Sequence, residues 1–405
     1  MSINIGMSGL KSTSEQMNTI SHNIANVGTA GYKASRTEFQ DIYAPEFGGG
    51  QMNGVEVAAV RQSFMSGATT PTNRNGDLAI NGEGFFMVQS NGQQMYTRNG
   101  VFNLSADGYI ETADGYRLQG FGANETGQIQ NGTTTELMVE TGDMAAKTTS
   151  QVDLGVNLNA SLPVIDPALK PFDKEDPTTF TSSVTTTVFD SIGAEHEVTQ
   201  YFVKTGANQW KAHYVIDDQV PTPPATLHSE TINFDGDGKL LAPNSVDLTI
   251  DPTNGANKGQ VITFDMTEVS QYGSEFSINK NAPNGYAPGK LAGWYFEADG
   301  TVYARYSNGQ TKAQGQIVLA RFPNQEGLQQ AGGTRWTQSF SSGAPLTGVA
   351  GTGQLGQLRT GMFENSNVDL TSEMVGLMSA QSNYQANAKT IQVSQEMTQI
   401  LFQNL

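Results

Sequence analysis

The chain has 405 residues, too many for a single hydrophobic core and enough for two or three domains. Its formal net charge of −17 argues against nucleic acid and anionic membrane surfaces as partners. It contains no cysteine, which removes disulfides, thiol catalysis and thiolate metal sites together.

Along the chain, Met1–Val27 is the first helix candidate. Ile3, Met7, Leu10, Met17 and Ile24 fall on alternating four- and three-residue steps, with Ser14 and Ser21 in the remaining places. That spacing is an a/d seam with small polar gaps. Gly6 and Gly9 lie inside it, each costing roughly 1 kcal/mol of helix propensity relative to Ala. Such a helix needs a partner to order it. Residues 29–72, broken by Gly48-Gly49-Gly50, read as an irregular connector, shared with 359–365.

Gly76–Gly122 is a run of short strands punctuated by Asn91-Gly92, Asn99-Gly100, Asp107-Gly108 and Asp114-Gly115. These dipeptides suit the positive φ of tight hairpin turns. The same texture returns at Gly289–Phe322, with Asp299-Gly300 and Asn308-Gly309. Between the two blocks the chain turns rich in Thr and Asp, with Pro-rich connectors at Pro163–Pro177 and Pro221–Pro224. Its strand candidates include Val184–Asp190, Val198–Lys204, Trp210–Ile216 and Val261–Met266. We expect residues 146–285 to be an inserted β domain, and 73–145 with 286–358 to form one discontinuous β domain.

The second helix candidate is Leu370–Leu405. Asp369 is placed to cap it, with Glu373 near the positive end of the helix dipole. Met374, Leu377, Tyr384, Ala388 and Ile391 continue a seam, extended by Met397 and Leu401 with a small phase drift. The pattern alone leaves two readings open: helices docked on a globular core, as in a secreted multidomain adhesin, or elements that pack against other chains.

Catalytic and metal chemistry find no support. The four histidines, His22, His196, His213 and His228, show no metal-ligand spacing. There is no phosphate-binding loop and no nucleophile elbow. Ser8-Gly-Leu-Lys11 fits the S-x-x-K acylase pattern without its companion motifs. Asn233-Phe-Asp-Gly-Asp-Gly238 resembles the start of a Ca²⁺ loop, but its twelfth position is Asn244 instead of the bidentate Glu. We expect an acidic β-turn there, no cofactor, no metal and no enzyme. No stretch approaches the roughly 18 apolar residues of a membrane span, so membrane insertion is not expected. The N-terminus shows no cleavable signal peptide.

Ser21–Lys33 (SHNIANVGTAGYK) resembles the N-terminal signature of the bacterial flagellar rod, hook and hook-associated axial proteins. Its matching positions include Asn23, Ala25, Asn26, Gly31 and Tyr32, whereas His22 and Gly28 depart from the usual residues. Asp77–Val88, Tyr96–Gly100 (YTRNG) and Tyr116–Gly120 are similar to further stretches of the family. Glu364–Glu373 (ENSNVDLTSE) and Ala380–Ile391 (AQSNYQANAKTI) resemble its C-terminal signature through Asn365, Asn367, Asp369, Gln381, Tyr384 and Asn387. Thr187–Gly193, Trp210, Thr263–Met266 and Gln271–Gly273 are similar to the insertion of the family's hook members, which the shorter rod members lack.

The resemblance implies a mainly β chain with α-helical termini, its discontinuous β domains in series. The terminal segments 1–28 and 366–405 would pair as an antiparallel coiled coil, and 146–285 would be the outer domain. It further implies a structural subunit that self-assembles with many copies of itself into a flexible curved tube. That tube would act as a universal joint transmitting torque from rod to filament; a distal rod subunit is the alternative within the family. The implied partners are the distal rod protein, a hook cap protein, hook–filament junction proteins and the flagellar type III export apparatus. The implied location is the extracellular hook of the basal body.

Overall fold

The computed structural model describes residues 2–44, 51–217 and 228–403. The Gly48–Gly50 break, the Pro221–Pro224 connector and the Leu401 side chain lie outside the described residues. Helix α1 spans Ser2–Ala25 and helix α2 spans Leu370–Gln403, and nearly everything between them is strand and turn. The chain divides into two compact units: residues 1–141, 292–305 and 311–405, and residues 142–291 with 306–310.

In the first unit, strands from both hairpin-rich blocks share one sheet. Its path runs Leu291–Phe296, Thr301–Tyr306, Thr311–Arg321, Arg117–Gly122, Phe85–Ser90, Gln93–Thr97, Arg335–Thr337, Gln329–Gly332. The register pairs Leu319 with Phe86, Gly315 with Gly122 and Arg335 with Thr97, so strands far apart in sequence alternate across the sheet. One face buries Phe85, Met87, Tyr96, Val318, Phe322 and Trp336. Phe85 meets Phe64, Phe322 and Trp336 edge-on, the arrangement aromatic quadrupoles favour.

Asn91 and Gly92 both take positive φ (51° and 79°), as a two-residue hairpin turn demands. Gly108, Gly115, Gly300 and Gly309 are also left-handed. Gly100 is not: it is a close-approach site, where a Cβ would lie 1.8 Å from the Leu78 carbonyl oxygen.

The connector expectation for residues 29–72 is corrected. Strands Ser35–Ala44 and Gln51–Gln62 form a long antiparallel hairpin with two register shifts. Its alternation is hard to read because neither face is a continuous core; Phe39 and Val60 remain exposed. The hairpin packs on α1 through polar groups: the Ser12 hydroxyl donates to Val55 O at 3.1 Å, and the Thr37 hydroxyl donates to that of Thr19 at 3.0 Å.

The second unit packs two five-stranded sheets around one core. One is the meander Ser182–Phe189, Glu195–Lys204, Gln209–Ile216, Ser229–Phe234, Leu240–Ala242; the other centres on Gln151–Asn159 and Gln260–Asp265. Alternation is clean, as in Ser245–Ile250, where every second side chain is buried. Trp210 is fully buried and its Nε1 donates to Gln271 Oε1 at 2.6 Å. The Asn233–Gly238 segment is a turn in which Asp235 Oδ1 accepts the Asp237 and Lys239 N–H groups, so backbone donors occupy that oxygen.

Candidate assembly interface

The two terminal helices pack antiparallel along their length. Gly6 lies against Ile391, Gly9 against Asn387, Ile20 against Gly376, and Asn23 Nδ2 donates to Glu373 Oε1 at 2.9 Å. From that register, the last two turns of α2 run past the start of α1. The contact is built on small residues: a Cβ on Gly6 or Gly9 would sit 2.7 Å from Ile391 Cγ1 or Asn387 Oδ1. The two glycines thus exchange helix propensity for close approach of the backbones. The buried face of α1 is Gly6, Gly9, Ser12, Thr13, Thr19, Ile20 and Asn23.

That face lies beside the predicted seam. Ile3, Leu10, Met17 and Ile24 are half-buried, and Met7 is 58% exposed. On α2, Leu377 and Ile391 are half-buried, whereas Met374, Tyr384, Ala388 and Met397 are exposed. Leu370, Val375, Met378, Val393 and Ile400 add to this uncovered apolar surface. The structure therefore closes the helix pair through Gly6, Gly9 and Gly376 against Ile391, Asn387 and Ile20, and leaves five of the predicted seam residues, Met7, Met374, Tyr384, Ala388 and Met397, exposed. Gln381 and Ala25 are exposed as well.

Below the helix pair, both signatures fold into one junction. Asn23 is buried: its Nδ2 donates to Ser35 O at 2.8 Å and to Glu373, while its Oδ1 accepts the Ser35 N–H and the Tyr32 hydroxyl. Asn26 closes the end of α1, its Nδ2 donating to His22 O at 2.9 Å. Gly31 turns the chain at φ 68°, its N–H donating to Glu364 O, where a Cβ would lie 2.4 Å from the Asn99 nitrogen. Asn367 Oδ1 accepts the Ala34 N–H at 2.7 Å and its Nδ2 donates to Ser63 O and Met65 O. Asn365 Nδ2 donates to the Thr70 hydroxyl. Asp369 caps α2 through the Ser372 N–H at 2.7 Å, and that backbone hydrogen bond holds its carboxyl below the usual range.

At the centre lie three charged groups that sequence reasoning did not single out. Glu364 Oε1 takes Lys33 Nζ at 2.6 Å and the Gly67 N–H at 2.8 Å, and Oε2 takes Arg98 Nη1 at 3.3 Å. All three side chains are buried. Burial pushes the Lys33 amine down, opposed by the neighbouring Glu364 carboxylate. Two cations therefore share one carboxylate, with Arg98 also donating to Gly82 O and lying 5.3 Å over the Phe85 ring. The available signal was a charged residue inside each of three signature motifs, GYK, YTRNG and ENSNVD.

Comparison with known proteins agrees along the chain. Residues 3–33 match the flagella basal body rod protein family, and 79–151 the flagellar hook protein FlgE/F/G D1 domain. Residues 157–286 match the flagellar basal body protein FlaE D2 domain, and 359–404 the flagellar basal body rod FlgEFG protein C-terminal family. The flagellar hook protein FlgE of Salmonella typhimurium is 38% identical, with 99% of each chain covered. That of Rhizobium meliloti is 33% identical, over 98% of this chain and 97% of the relative. The crystal structure of Helicobacter pylori flagellar hook protein FlgE2 shares the fold, with a TM-score of 0.54 and 14% identity over 72% of this chain and 99% of that one. Similarity of this extent places the chain in the family of flagellar hook proteins.

Proposed function

We propose that this chain is the repeating subunit of the hook, self-assembling into a curved tube that joins rod to filament and transmits torque while bending. The observation that carries this is the uncovered apolar surface of the terminal pair. Met7, Met374, Met378 and Met397 are each at least half exposed on helices whose mutual contact is already closed by small residues. An isolated chain gains little from ordering such helices, so neighbouring copies supply the missing contact area. Heterologous contacts that do not close generate an open helical array.

On this reading α1 and α2 hold the lattice, and the polar β units make wetter contacts that slide as the tube bends. Residues 146–285 act as the inserted outer domain, flanked by the discontinuous domain of 73–145 and 286–358. The distal rod protein, hook cap protein and hook–filament junction proteins meet the two ends of the tube. The chain reaches its extracellular site through the flagellar type III export apparatus.

Deleting residues 1–27 or 370–405 tests the assembly role. Neither truncated protein should polymerise while both retain folded β units by circular dichroism; normal polymerisation of either would refute it.

A further inference from the structure

Phe340 is the most exposed large apolar side chain among the described residues, at 105% of its reference area, on a loop that is tightly organised. The Ser339 hydroxyl accepts the Ser341 and Ser342 N–H groups, and Ser342 Oγ, itself fully buried, donates to Ser339 O at 2.9 Å. Asn324 Nδ2 donates to Ser341 O from outside the loop, and Gly327 leaves room for it, since a Cβ there would lie 2.5 Å from Ser341 C. The phenyl ring is thus held out by a fixed backbone, with its ordering cost already met by the fold. The Phe340 carbonyl makes no hydrogen bond among the described residues.

This loop follows Arg335–Thr337 and sits against Gln325–Gly327, at one end of the strand path of the first unit's sheet. At the other end, strand Leu291–Phe296 borders a cavity of about 530 Å³ lined by Trp294, Phe296, Arg74 and Arg305. Trp294 and Phe296 meet edge-on at 5.2 Å. Arg305 makes no ion pair, and the Trp294 indole N–H no hydrogen bond, among the described residues. The cavity therefore offers an aromatic wall, an unpaired guanidinium and an unpaired N–H donor. The loop offers an aromatic ring and an unpaired carbonyl.

We propose that Phe340 of one copy inserts into the Trp294–Arg305 cavity of the next. Because ring and cavity sit at opposite ends of one sheet path, each copy gives the ring to one neighbour and the cavity to another, a heterologous contact that propagates. Arg305 lies over the face of the inserted ring and the indole N–H takes its carbonyl. The contact rests on the self-assembly reading above.

The absence of native cysteine makes the test clean. Gly293 also lines the cavity, and a Cβ added there meets nothing within 4 Å. Full-length chain that keeps Phe340 and carries Ser341→Cys, an exposed neighbour of the ring, with Gly293→Cys, assembled and treated with a short bifunctional thiol cross-linker, should give a ladder of covalent oligomers; assembled polymer without a ladder overturns the contact. Separately, Phe340→Ala should raise the concentration needed for assembly by about tenfold or more, as loss of a buried aromatic anchor does, while Phe340→Trp stays close to the parent. Unchanged assembly of Phe340→Ala overturns the proposal. Failure of the unaltered chain to polymerise would instead remove the assembly reading beneath it.

Discussion

Replacing Glu364 by Gln keeps the shape of the junction and removes the carboxylate that Lys33 and Arg98 share. Lys33 and Arg98 then remain buried without that carboxylate, and the Gly67 N–H loses a charged acceptor. Breaking a buried pair by removing one partner costs about 3–5 kcal/mol, a large share of a typical domain's stability of about 5–15 kcal/mol. The site to watch is the junction itself, because the Gly31 N–H is bonded to Glu364 O and the Ala34 N–H to Asn367 Oδ1. At 1.4 kcal/mol per tenfold, hydrogen exchange at these two amides should accelerate by roughly two to three and a half decades.

The deficit should also depend on pH. Burial already holds the Lys33 amine below its ordinary 10.5, and the loss of Glu364 removes the main group that raises it. Between the folded and unfolded pKa the unfolded chain binds more protons, so stability rises with pH across that window, and the window widens downward in the variant. The Lys33 share of the acceleration in Glu364→Gln should therefore fade as pH climbs toward 10, while the Arg98 share, whose guanidinium stays charged, persists. An acceleration below tenfold, or a deficit flat with pH, would refute the claim that this carboxylate holds the two chain ends together.

Gly9→Leu should separate the terminal helices, since the added side chain starts 2.7 Å from Asn387; an overpacking cost of about 1–3 kcal/mol exceeds the roughly 1 kcal/mol of helix propensity gained, and polymerisation should weaken in a sedimentation assay. In the second unit, burial holds His213 down to about 4, helped by Lys211, while its ring stacks on Phe172 at 4.4 Å. Its folded pKa lies below the ordinary 6.5, so about 3 kcal/mol of stability should be lost as pH falls from 6.5 to 4. His213→Phe should flatten that loss in acid denaturation of the full chain. His196 has the opposite sign: burial pulls it down, but hydrogen bonds to Asp217 and Asp190 outweigh this and raise it, so its contribution fades as pH rises and the comparison must be made between variants.

The β architecture was legible because period-two alternation and turn dipeptides are local signals. Val184–Asp190 and Trp210–Ile216 differ from the observed strands by a residue or two at their ends. Gly100 was misread because Asn-Gly marks a turn and a close approach alike, and only the Leu78 carbonyl distinguishes them. The hairpin over 35–62 was missed because its partner is a helix met through hydroxyls, which leaves no apolar period to read. The helices were found, but their phase differs: an a/d reading tracks Met and Leu, whereas this contact selects Gly6, Gly9 and Gly376. The Lys33–Arg98–Glu364 cluster joins residues up to 331 positions apart, a separation that no periodicity reports.

The central claim is that the apolar stripe of the terminal helices is completed by neighbouring copies. Amide hydrogen exchange along α2 in monomer and in polymer tests it most directly. Exchange over Met374–Ile400 should be fast in the monomer and slow by several decades on polymerisation, with the β units changing little. Protection of α2 in the monomer equal to that in the polymer would contradict the account.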